Sequence, residues 1–251
     1  MKTISFLENL FPVRAFSTEK EDASDDWRDV ALRNAALQSM LNVPVDRFFY
    51  ARETHSGSVY AVTQERPDGW IAISEEHLHL GPEGGYDALV TSVPGVLLCI
   101  WTADCLPLFL LDPAHHIAAI AHCGWRGISE NIVANTIDVM KRLGSEPEQV
   151  FAAFGPCICE NCYEVSEDLR SRYAEKFSTG EMEELFVPKQ NGKFLLNLKK
   201  AVELELLRSG VRRESMADTG ICSYESAHYA SYRRDGHSDP FRQTLSGIML
   251  C

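Results

Sequence analysis

Three runs of apolar residues lie close together in the middle of the chain. They read VLLCIW, LPLFLLD and IAAIAH, and they begin at Val96, Leu106 and Ile117. Unbroken apolar runs of strand length are typical of strands that are buried on both faces. The pattern predicts three core strands within about thirty residues rather than a membrane span, because Asp104 and Pro107 interrupt it.

Helical periodicity is found on both sides of these strands. The predicted helices cover 27–41, 127–143 and 197–209, and a further helix starts near Ser166. Shorter runs predict additional strands at 58–63, 70–73, 87–93 and 149–154, and the tail from 216 to 250 is predicted to form strands with an RRDG turn. With a length of 251 residues, this mixture predicts one mixed α/β domain.

The charge of the chain limits its partners. Lys and Arg number 24 against 36 Asp and Glu, which gives a net charge of -12 at pH 7. Such a charge repels phosphate backbones and anionic surfaces, so we expect neither a nucleic-acid polymer nor a membrane as partner. Small anions stay open as ligands, since a local group of donors can outweigh the overall field.

The cysteine content points to metal binding or catalysis. The N-terminal residues do not read as a signal peptide, so we expect a cytoplasmic protein whose 8 cysteines are reduced. In that compartment, a metal site or a catalytic thiol is a better interpretation than a disulfide framework.

Polar residues that adjoin the core strands carry the candidate chemistry. Asp104 and Cys105 lie in TADCLP, between two of the strands, and His122 lies at the end of the third strand, where α/β proteins place ligand sites. A buried free cysteine and a hydrogen-bonded core histidine are the ordinary alternatives.

The AHCGWRG segment at 121–127 has the features of an anion-binding turn. Gly124 and Gly127 permit close backbone approach at the start of a predicted helix, and Arg126 adds a rigid group of donors. A tight turn in which Arg126 pairs with a surface carboxylate explains the same residues equally well.

A third candidate, His55, precedes a predicted strand in the segment ETHSG. Two imidazoles and one thiolate, from His55, His122 and Cys105, form a ligand set that suits zinc with an open fourth position. The three residues are far apart in sequence, so this site depends on a fold that brings them together.

A second group of thiols, Cys157, Cys159 and Cys162, has the spacing C-x-C-x2-C. It could form another metal site if Cys222 or Cys123 supplied a fourth ligand, but reduced thiols in a compact turn are the favoured interpretation.

Other candidates carry less weight. Arg233 and Arg234 could contact a phosphate or a ribose, but neighbours on a strand face opposite ways, so we expect only one of them, Arg233, to reach a pocket. Four histidines lie in loop-like polar stretches and are predicted to be solvated: His77, His79, His115 and His116.

Several unusual sequence words occur along the chain in a fixed order. They are THS at 54–56, DALVT at 87–91, TADCLP at 102–107, AHCGWRG at 121–127, GPCI at 155–158, YEV at 163–165 and SYRRDG at 231–236. In this order they resemble the YfiH-type laccase-domain family, and they cover residues 53–236.

This resemblance implies a fold, a metal and a reaction. It implies a single domain over 1–251, of layered mixed β-sheets flanked by helices, with a metal bound by His55, Cys105 and His122. We expect this metal to be Zn²⁺, with copper as the alternative. The resemblance also implies purine nucleoside phosphorolysis with accompanying adenosine deamination, including action on methylthioadenosine. The older label of the family is copper polyphenol oxidase.

The same residues are assigned roles on this basis. Cys105 and His122 would act at the metal, and Asp104 would transfer a proton or orient a neighbour. Arg126 would offset the charge of phosphate, and Arg233 would be a further contact to the substrate.

Three other functions are compatible with these residues. An amidohydrolase that edits a cell-wall precursor could use a zinc-bound water or a Cys105 nucleophile activated by His122. A copper oxidase needs several copper centres, which are hard to assemble from 8 histidines. A non-enzymatic zinc module would close its metal with four protein ligands.

The chain departs from the family pattern at three places. Glu53 stands where Gln is usual, Cys123 stands where Ala is common, and the segment 237–243 replaces a usual Thr-Gly-Arg word. None of these removes a proposed metal ligand, but an added thiol beside His122 could alter the choice of metal, since sulfur favours zinc and Cu(I).

Overall fold

The computed structural model describes residues 1–22, 29–42, 44–45, 47–63, 85–236 and 243–251. The strands of these residues are β1 (Lys2–Thr3), β2 (Val13–Ser17), β3 (Arg47–Tyr50), β4 (Val59–Val62), β5 (Ala88–Thr91), β6 (Val96–Thr102), β7 (Leu106–Asp112), β8 (Ile117–Cys123), β9 (Phe151–Phe154), β10 (Glu164–Val165), β11 (Phe186–Pro188), β12 (Phe194–Leu196), β13 (Met216–Asp218) and β14 (Thr244–Leu250). The helices are α1 (Ser5–Glu8), α2 (Val30–Leu41), α3 (Trp125–Ser129), α4 (Ile132–Arg142), α5 (Glu167–Ala174), α6 (Thr179–Leu185), α7 (Leu198–Arg208) and α8 (Tyr232–Asp235).

The strands form three sheets. A six-stranded sheet has the order β13-β9-β7-β8-β5-β4, a five-stranded sheet has the order β1-β2-β14-β6-β3, and a small sheet has the order β10-β12-β11. Most pairs are antiparallel, but β3 with β6, β4 with β5 and β13 with β9 are parallel. The predicted fold class, mixed sheets flanked by helices in an α+β arrangement, is confirmed.

The two large sheets pack face to face, and this packing explains the apolar runs. Phe109 and Leu111 of β7 share a core with Ile100 of the five-stranded sheet. Leu108 and Leu110, on the other face of β7, pack in a core that includes residues of α4 and α7. Burying a side chain of this size stabilises the fold by about 1.5–3 kcal/mol, so the three core strands are confirmed as its centre.

Helix α2 differs from its prediction in the residues that it buries. The described helix begins at Val30, after Asp29 accepts hydrogen bonds from the amides of two residues in the first turn. Its buried face contains Arg33, Leu37 and Leu41, whereas Leu32 is 51% exposed. The guanidinium of Arg33 lies over the ring of Tyr50 at 4.0 Å, which explains a charged residue on the inner face.

The predicted helix over 127–143 is wrong in its continuity, because two helices, α3 and α4, occupy this segment. Helical structure is interrupted at Glu130 and Asn131, and Asn131 has a left-handed φ of 65°. The break has a packing reason: a Cβ on Gly57 would stand 2.0 Å from the carbonyl oxygen of Glu130. The loop that carries His55 therefore docks directly against the junction of the two helices.

The predicted strands of the tail are also wrong over most of its described part. Between 216 and 236 the one strand described is β13, and the RRDG segment ends a short helix, α8, at Gly236. The helix begins because Ser231 caps it by accepting a hydrogen bond from the amide of Arg234. The strand predicted at 70–73, together with His77 and His79, lies outside the described residues.

The other predictions of helices and strands hold within a few residues. Helix α7 begins after Asn197, whose side chain accepts from the amide of Lys200, and α5 begins after Ser166. Sequence patterns missed several short elements, namely β1 to β3, β10 to β12, α1 and α6. Among the described residues, no helix is both long enough and apolar enough to cross a membrane.

Candidate metal centre

One end of the six-stranded sheet gathers the predicted ligands. Strand β8 runs antiparallel to β5 and β7, so β8 ends where the other two begin. His122 lies near the end of β8, Cys105 directly precedes β7, and His55 lies in the loop before β4. Residues separated by as many as 67 positions thus meet at one edge.

The three side chains are close enough to share one ion. One ligand atom from each of His55, Cys105 and His122 lies within 4.8 Å of the other two. The two imidazole rings stand nearly edge to face, with centroids 4.9 Å apart. His122 is 3% exposed, whereas His55 is exposed, so the group is closed on its inner side and open on its outer side.

The close approach of Cys105 and His55 requires glycine at position 124. A Cβ at Gly124 would stand 2.9 Å from Sγ of Cys105 and 3.6 Å from the ring of His55. Gly127 has a similar function, since its Cβ would lie 3.1 Å from the carbonyl oxygen of Ser56. Both glycines of the AHCGWRG segment therefore let neighbouring backbone and ligands approach.

The carboxylate of Asp87 forms hydrogen bonds to the segments that carry two of the proposed ligands. This carboxylate is fully buried, and Oδ1 lies 2.8 Å from Nδ1 of His122, which leaves Nε2 of that ring for a ligand. The same carboxylate accepts hydrogen bonds from the amides of His55 and Ser56 at 3.0 and 2.7 Å. These bonds hold His55 in a left-handed backbone conformation, with φ of 59°.

Sequence analysis missed Asp87 as a functional residue. A signal was present, because an aspartate directly before a buried strand is an unusual place for a charge. It lies at the start of the DALVT word, but neither spacing nor residue type connects it to His122 in the sequence.

The electrostatics of the centre favour the ligating form of Cys105. Burial would raise the pKa of Cys105, but the charge and hydrogen bond of His122 and the hydrogen bond of His55 lower it to about 6. Burial opposes a charged His122, yet the thiolate of Cys105 and the carboxylate of Asp87 raise the pKa of this histidine. A thiolate is the form of cysteine that binds metals.

Glu53, the residue that departs from the family pattern, lies on the inner side of the centre. Its Oε1 accepts a hydrogen bond from the amide of Trp101 at 2.6 Å. Burial raises the pKa of Glu53 to about 7, against the charge of His122 and the bond from Trp101, which lower it. The substitution therefore adds a titratable group within electrostatic reach of His122.

Asp104 is held by contacts that suit a positioning residue. Its carboxylate accepts hydrogen bonds from Oγ of Ser223 and from the amide of Arg233, both at 2.7 Å. Its carbonyl oxygen accepts from the amide of Ile158 at 3.0 Å. Asp104 is 8% exposed, has φ of 82° and directly precedes Cys105, so these contacts connect two loops to the backbone at Cys105.

The predicted substrate-binding arginines lie around Tyr163. Burial and the charge of Cys105 raise the pKa of Tyr163, while Arg233 and Arg126 oppose this shift, so these charges lie within electrostatic reach of the phenol. The guanidinium of Arg126 is exposed and stacks over Trp125 at 4.2 Å. Arg233 donates to the carbonyl oxygen of Glu164 at 2.8 Å.

The predicted strand at Arg233 and Arg234 is wrong, because both residues lie in helix α8, but their guanidinium groups have different partners. The guanidinium of Arg234 donates to the carbonyl oxygens of Ser223, Tyr224 and Tyr229 at 2.7–2.8 Å, so it fixes the loop before α8. His115 and His116 are exposed, as predicted, and Nδ1 of His115 lies 2.9 Å from Oδ2 of Asp112.

The second group of thiols contains a different set of cysteines from the predicted one. Ligand atoms of Cys159, Cys162 and Cys222 lie within 4.8 Å of one another. Cys157 does not belong to this group; it is fully buried, and its Sγ donates to the carbonyl oxygen of Ile158 at 3.6 Å. Cys123 is likewise buried in the core of the six-stranded sheet.

Comparison with known proteins shows where the chain belongs. The model of the family described as multi-copper polyphenol oxidoreductase laccase matches residues 16–250. The chain belongs to this family. The predicted family is thereby confirmed.

Two relatives of this chain have names that describe reactions. A purine nucleoside phosphorylase of Deinococcus radiodurans is 39% identical over 215 residues, which are 86% of this chain and 76% of the relative. An adenosine deaminase from an unknown prokaryotic organism is 30% identical over 265 residues, which are 99% of this chain and 98% of the relative.

A solved structure has the same fold as this chain. The crystal structure of the hypothetical protein YfiH from Bacillus licheniformis has a TM-score of 0.79 and 23% sequence identity. The match covers 95% of this chain and 93% of that chain.

Proposed function

We propose that the protein is a metal-dependent purine nucleoside phosphorylase that also deaminates adenosine and cleaves methylthioadenosine. The observation that carries this proposal is the group of His55, Cys105 and His122, whose ligand atoms lie within 4.8 Å of one another. The names of the two relatives support the phosphorolysis and the deamination. The substrates would be a purine nucleoside and inorganic phosphate.

The donor set favours zinc. Two imidazole nitrogens and one thiolate sulfur match the ligands of zinc sites that keep a fourth position open, and Cu(I) is the other ion that such donors accept. The chemistry that a bound ion supplies is Lewis-acid polarisation of an oxygen. Asp87 would fix the ring of His122 so that Nε2 points to the ion.

The residues around this group would bind and orient the substrates. Arg126 and Arg233 would offset the charge of phosphate, since both guanidinium groups lie within electrostatic reach of Tyr163 and Tyr163 lies within reach of Cys105. Asp104 would position Cys105 rather than carry a proton, because its carboxylate is committed to Ser223 and Arg233.

A test of this function supplies purified protein with adenosine, inosine or methylthioadenosine, with and without phosphate, and separates the products. We expect free purine base and a ribose 1-phosphate ester only when phosphate is present, and inosine from adenosine in its absence. Cys105→Ala should abolish both reactions, whereas Cys251→Ser, an exposed terminal thiol, should leave them unchanged. Absence of turnover by protein that contains the metal would overturn the proposal.

A second candidate function uses the same pair of residues. The thiolate of Cys105 beside the imidazole of His122 could act as nucleophile and base in the hydrolysis of an amide, as in an editing enzyme for cell-wall precursors. Release of L-serine from a precursor analogue, without turnover of nucleosides, would favour this candidate.

Two other functions fit less well. An oxidase with several copper centres needs several groups of histidines, but in the described part of the chain His55 and His122 are the only histidines that belong to a group of three or more possible ligands. A purely structural zinc module would surround its ion with protein ligands, whereas the group here is exposed at His55.

A further inference from the structure

A second group of ligand side chains lies where two loops leave the six-stranded sheet together. Cys159 and Cys162 follow β9, and Cys222 follows β13. The two strands pair in parallel, with Ala152 opposite Met216, and the pairing continues as a bridge between Cys157 and Cys222. Because the two strands are parallel neighbours, both loops leave the sheet at the same edge.

The two loops present ligand residues at the same spacing. The first loop reads C-x2-C from Cys159 to Cys162, and the second reads C-x2-E from Cys222 to Glu225. The three sulfur atoms lie within 4.8 Å of one another. An oxygen of Glu225 lies 3.6 Å from Sγ of Cys162, so its carboxylate is within reach of the group as a further ligand.

A hydrogen bond to sulfur also joins the two loops. The amide of Cys159 donates to Sγ of Cys222 at 3.3 Å. A hydrogen bond from a backbone amide favours the thiolate, which is the form of cysteine that binds a metal.

We propose that Cys159, Cys162, Cys222 and Glu225 form a second zinc site. Sulfur ligands of one tetrahedral zinc stand roughly 3.8 Å apart, so sulfur atoms within 4.8 Å need only a small adjustment to surround an ion. The carboxylate of Glu225 completes four protein ligands. A single disulfide explains the group less well, since it would use two of three neighbouring thiols and leave the third.

The site has access to solvent. A cavity of about 600 Å³ opens beside it and is lined in part by Cys159, Cys222 and Glu225. Cys159 and Cys162 are partly exposed, whereas Cys222 is 9% exposed. An ion can therefore reach the thiols from outside the folded chain.

The second site would stabilise the first one. Ile158, next to Cys159, donates through its amide to the carbonyl oxygen of Asp104, and Ser223, next to Cys222, donates to the carboxylate of Asp104. Asp104 in turn precedes Cys105. An ion closed by four protein ligands is structural rather than catalytic, so its function here is to hold the two loops that support Asp104.

The test measures zinc in the full chain purified without chelators. We expect about two zinc ions per chain, and about one in Cys162→Ser. The control Cys251→Ser, at the exposed terminal thiol, should keep about two. In a double variant, His55→Ala with His122→Ala, about one ion should stay bound, which separates this site from the first one.

Cobalt identifies the ligands. In the double histidine variant, Co²⁺ should give the near-ultraviolet charge-transfer absorption of thiolate ligands, and Cys162→Ser added to it should remove most of this band. Glu225→Gln, a change at an exposed residue, should release zinc to a chelator several-fold faster without preventing folding. This variant tests the site even if Cys162→Ser does not fold.

Three results would overturn the proposal. The first is a zinc content that Cys162→Ser leaves unchanged. The second is a disulfide among Cys159, Cys162 and Cys222 in peptides of the freshly purified, non-reduced protein. The third is a visible absorption of iron and sulfide that Cys162→Ser removes, because an iron–sulfur cluster would then occupy these thiols.

Discussion

Oδ1 of Asp87 lies 2.8 Å from Nδ1 of His122, and both side chains are buried at one end of the six-stranded sheet. The same carboxylate holds the amides of His55 and Ser56. The buried carboxylate of Asp87 thus orients His122 through its ring and His55 through its backbone. An open position at a bound ion would depend on this arrangement.

Asp87→Asn should weaken zinc binding by about 10- to 100-fold, because an amide group beside Nδ1 favours the wrong tautomer of His122. A competition titration with a coloured chelator measures the change. Asp112→Asn is the matched control, since Asp112 is also fully buried and also contacts a histidine, but far from the centre. Equal loss of affinity in both variants would mean that general destabilisation, not orientation, explains the effect.

Gly124→Ala should remove zinc and activity together. The added Cβ would stand 2.9 Å from Sγ of Cys105, so the sulfur must move away from the two histidines. Gly180→Ala provides the comparison, because the structure has no atom within 4 Å of a Cβ at that helical position among the described residues. Metal analysis and adenosine turnover check both variants, and a Gly124→Ala protein with full zinc content would contradict the geometry.

Arg126→Ala should raise the KM for phosphate by roughly 10-fold, the effect of losing one charge-assisted contact at an exposed position. The deamination of adenosine requires no phosphate, so its rate should stay unchanged and serves as an internal control. Arg172→Ala is the matched variant, since Arg172 lies 5.9 Å from the ring of Trp125, the ring on which Arg126 stacks. Steady-state kinetics with varied phosphate distinguish these outcomes.

The carboxylate of Asp112 should make the stability of the fold depend on acid pH. Burial opposes its ionisation, but hydrogen bonds from Ser145 and His115 hold the pKa of Asp112 below its usual value. A carboxyl group whose pKa is depressed in the folded state stabilises the protein above its unfolded pKa, and this stabilisation is lost as the pH falls through the folded pKa.

Urea unfolding of the wild type and of Asp112→Asn tests this dependence. Near neutral pH the wild type should be more stable by about 1–3 kcal/mol, and the difference should shrink below pH ~4. Asp138→Asn, at an exposed helical position, should change the free energy of unfolding by less than ~0.5 kcal/mol. A difference that stays constant down to pH ~2 would argue against the role of the Asp112 charge.

The sequence predicted the core because its signal is local. Each of the strands β6, β7 and β8 is an apolar run that is buried on both faces, so the pattern and the structure report the same property. The break between α3 and α4 was not predictable in this way. It depends on Gly57, which packs against Glu130 from a position 73 residues earlier in the chain.

The candidate sites also depend on contacts between residues that are far apart in the sequence. Residue type and position at strand ends indicated His55, Cys105 and His122, but only the antiparallel order of β5, β8 and β7 brings them together. Asp87 carried no chemical motif of its own. In the second group, proximity in sequence suggested Cys157, whereas the parallel pairing of β13 with β9 replaces it by Cys222.

Anomalous X-ray scattering at the zinc absorption edge, from crystals of the zinc-loaded chain, tests the central claim most directly. The account predicts a peak within bonding distance, about 2.0–2.3 Å, of a nitrogen of His55, Sγ of Cys105 and Nε2 of His122, with no fourth protein ligand. A peak that lacks any one of these three side chains, or no peak between them at full zinc loading, would contradict it.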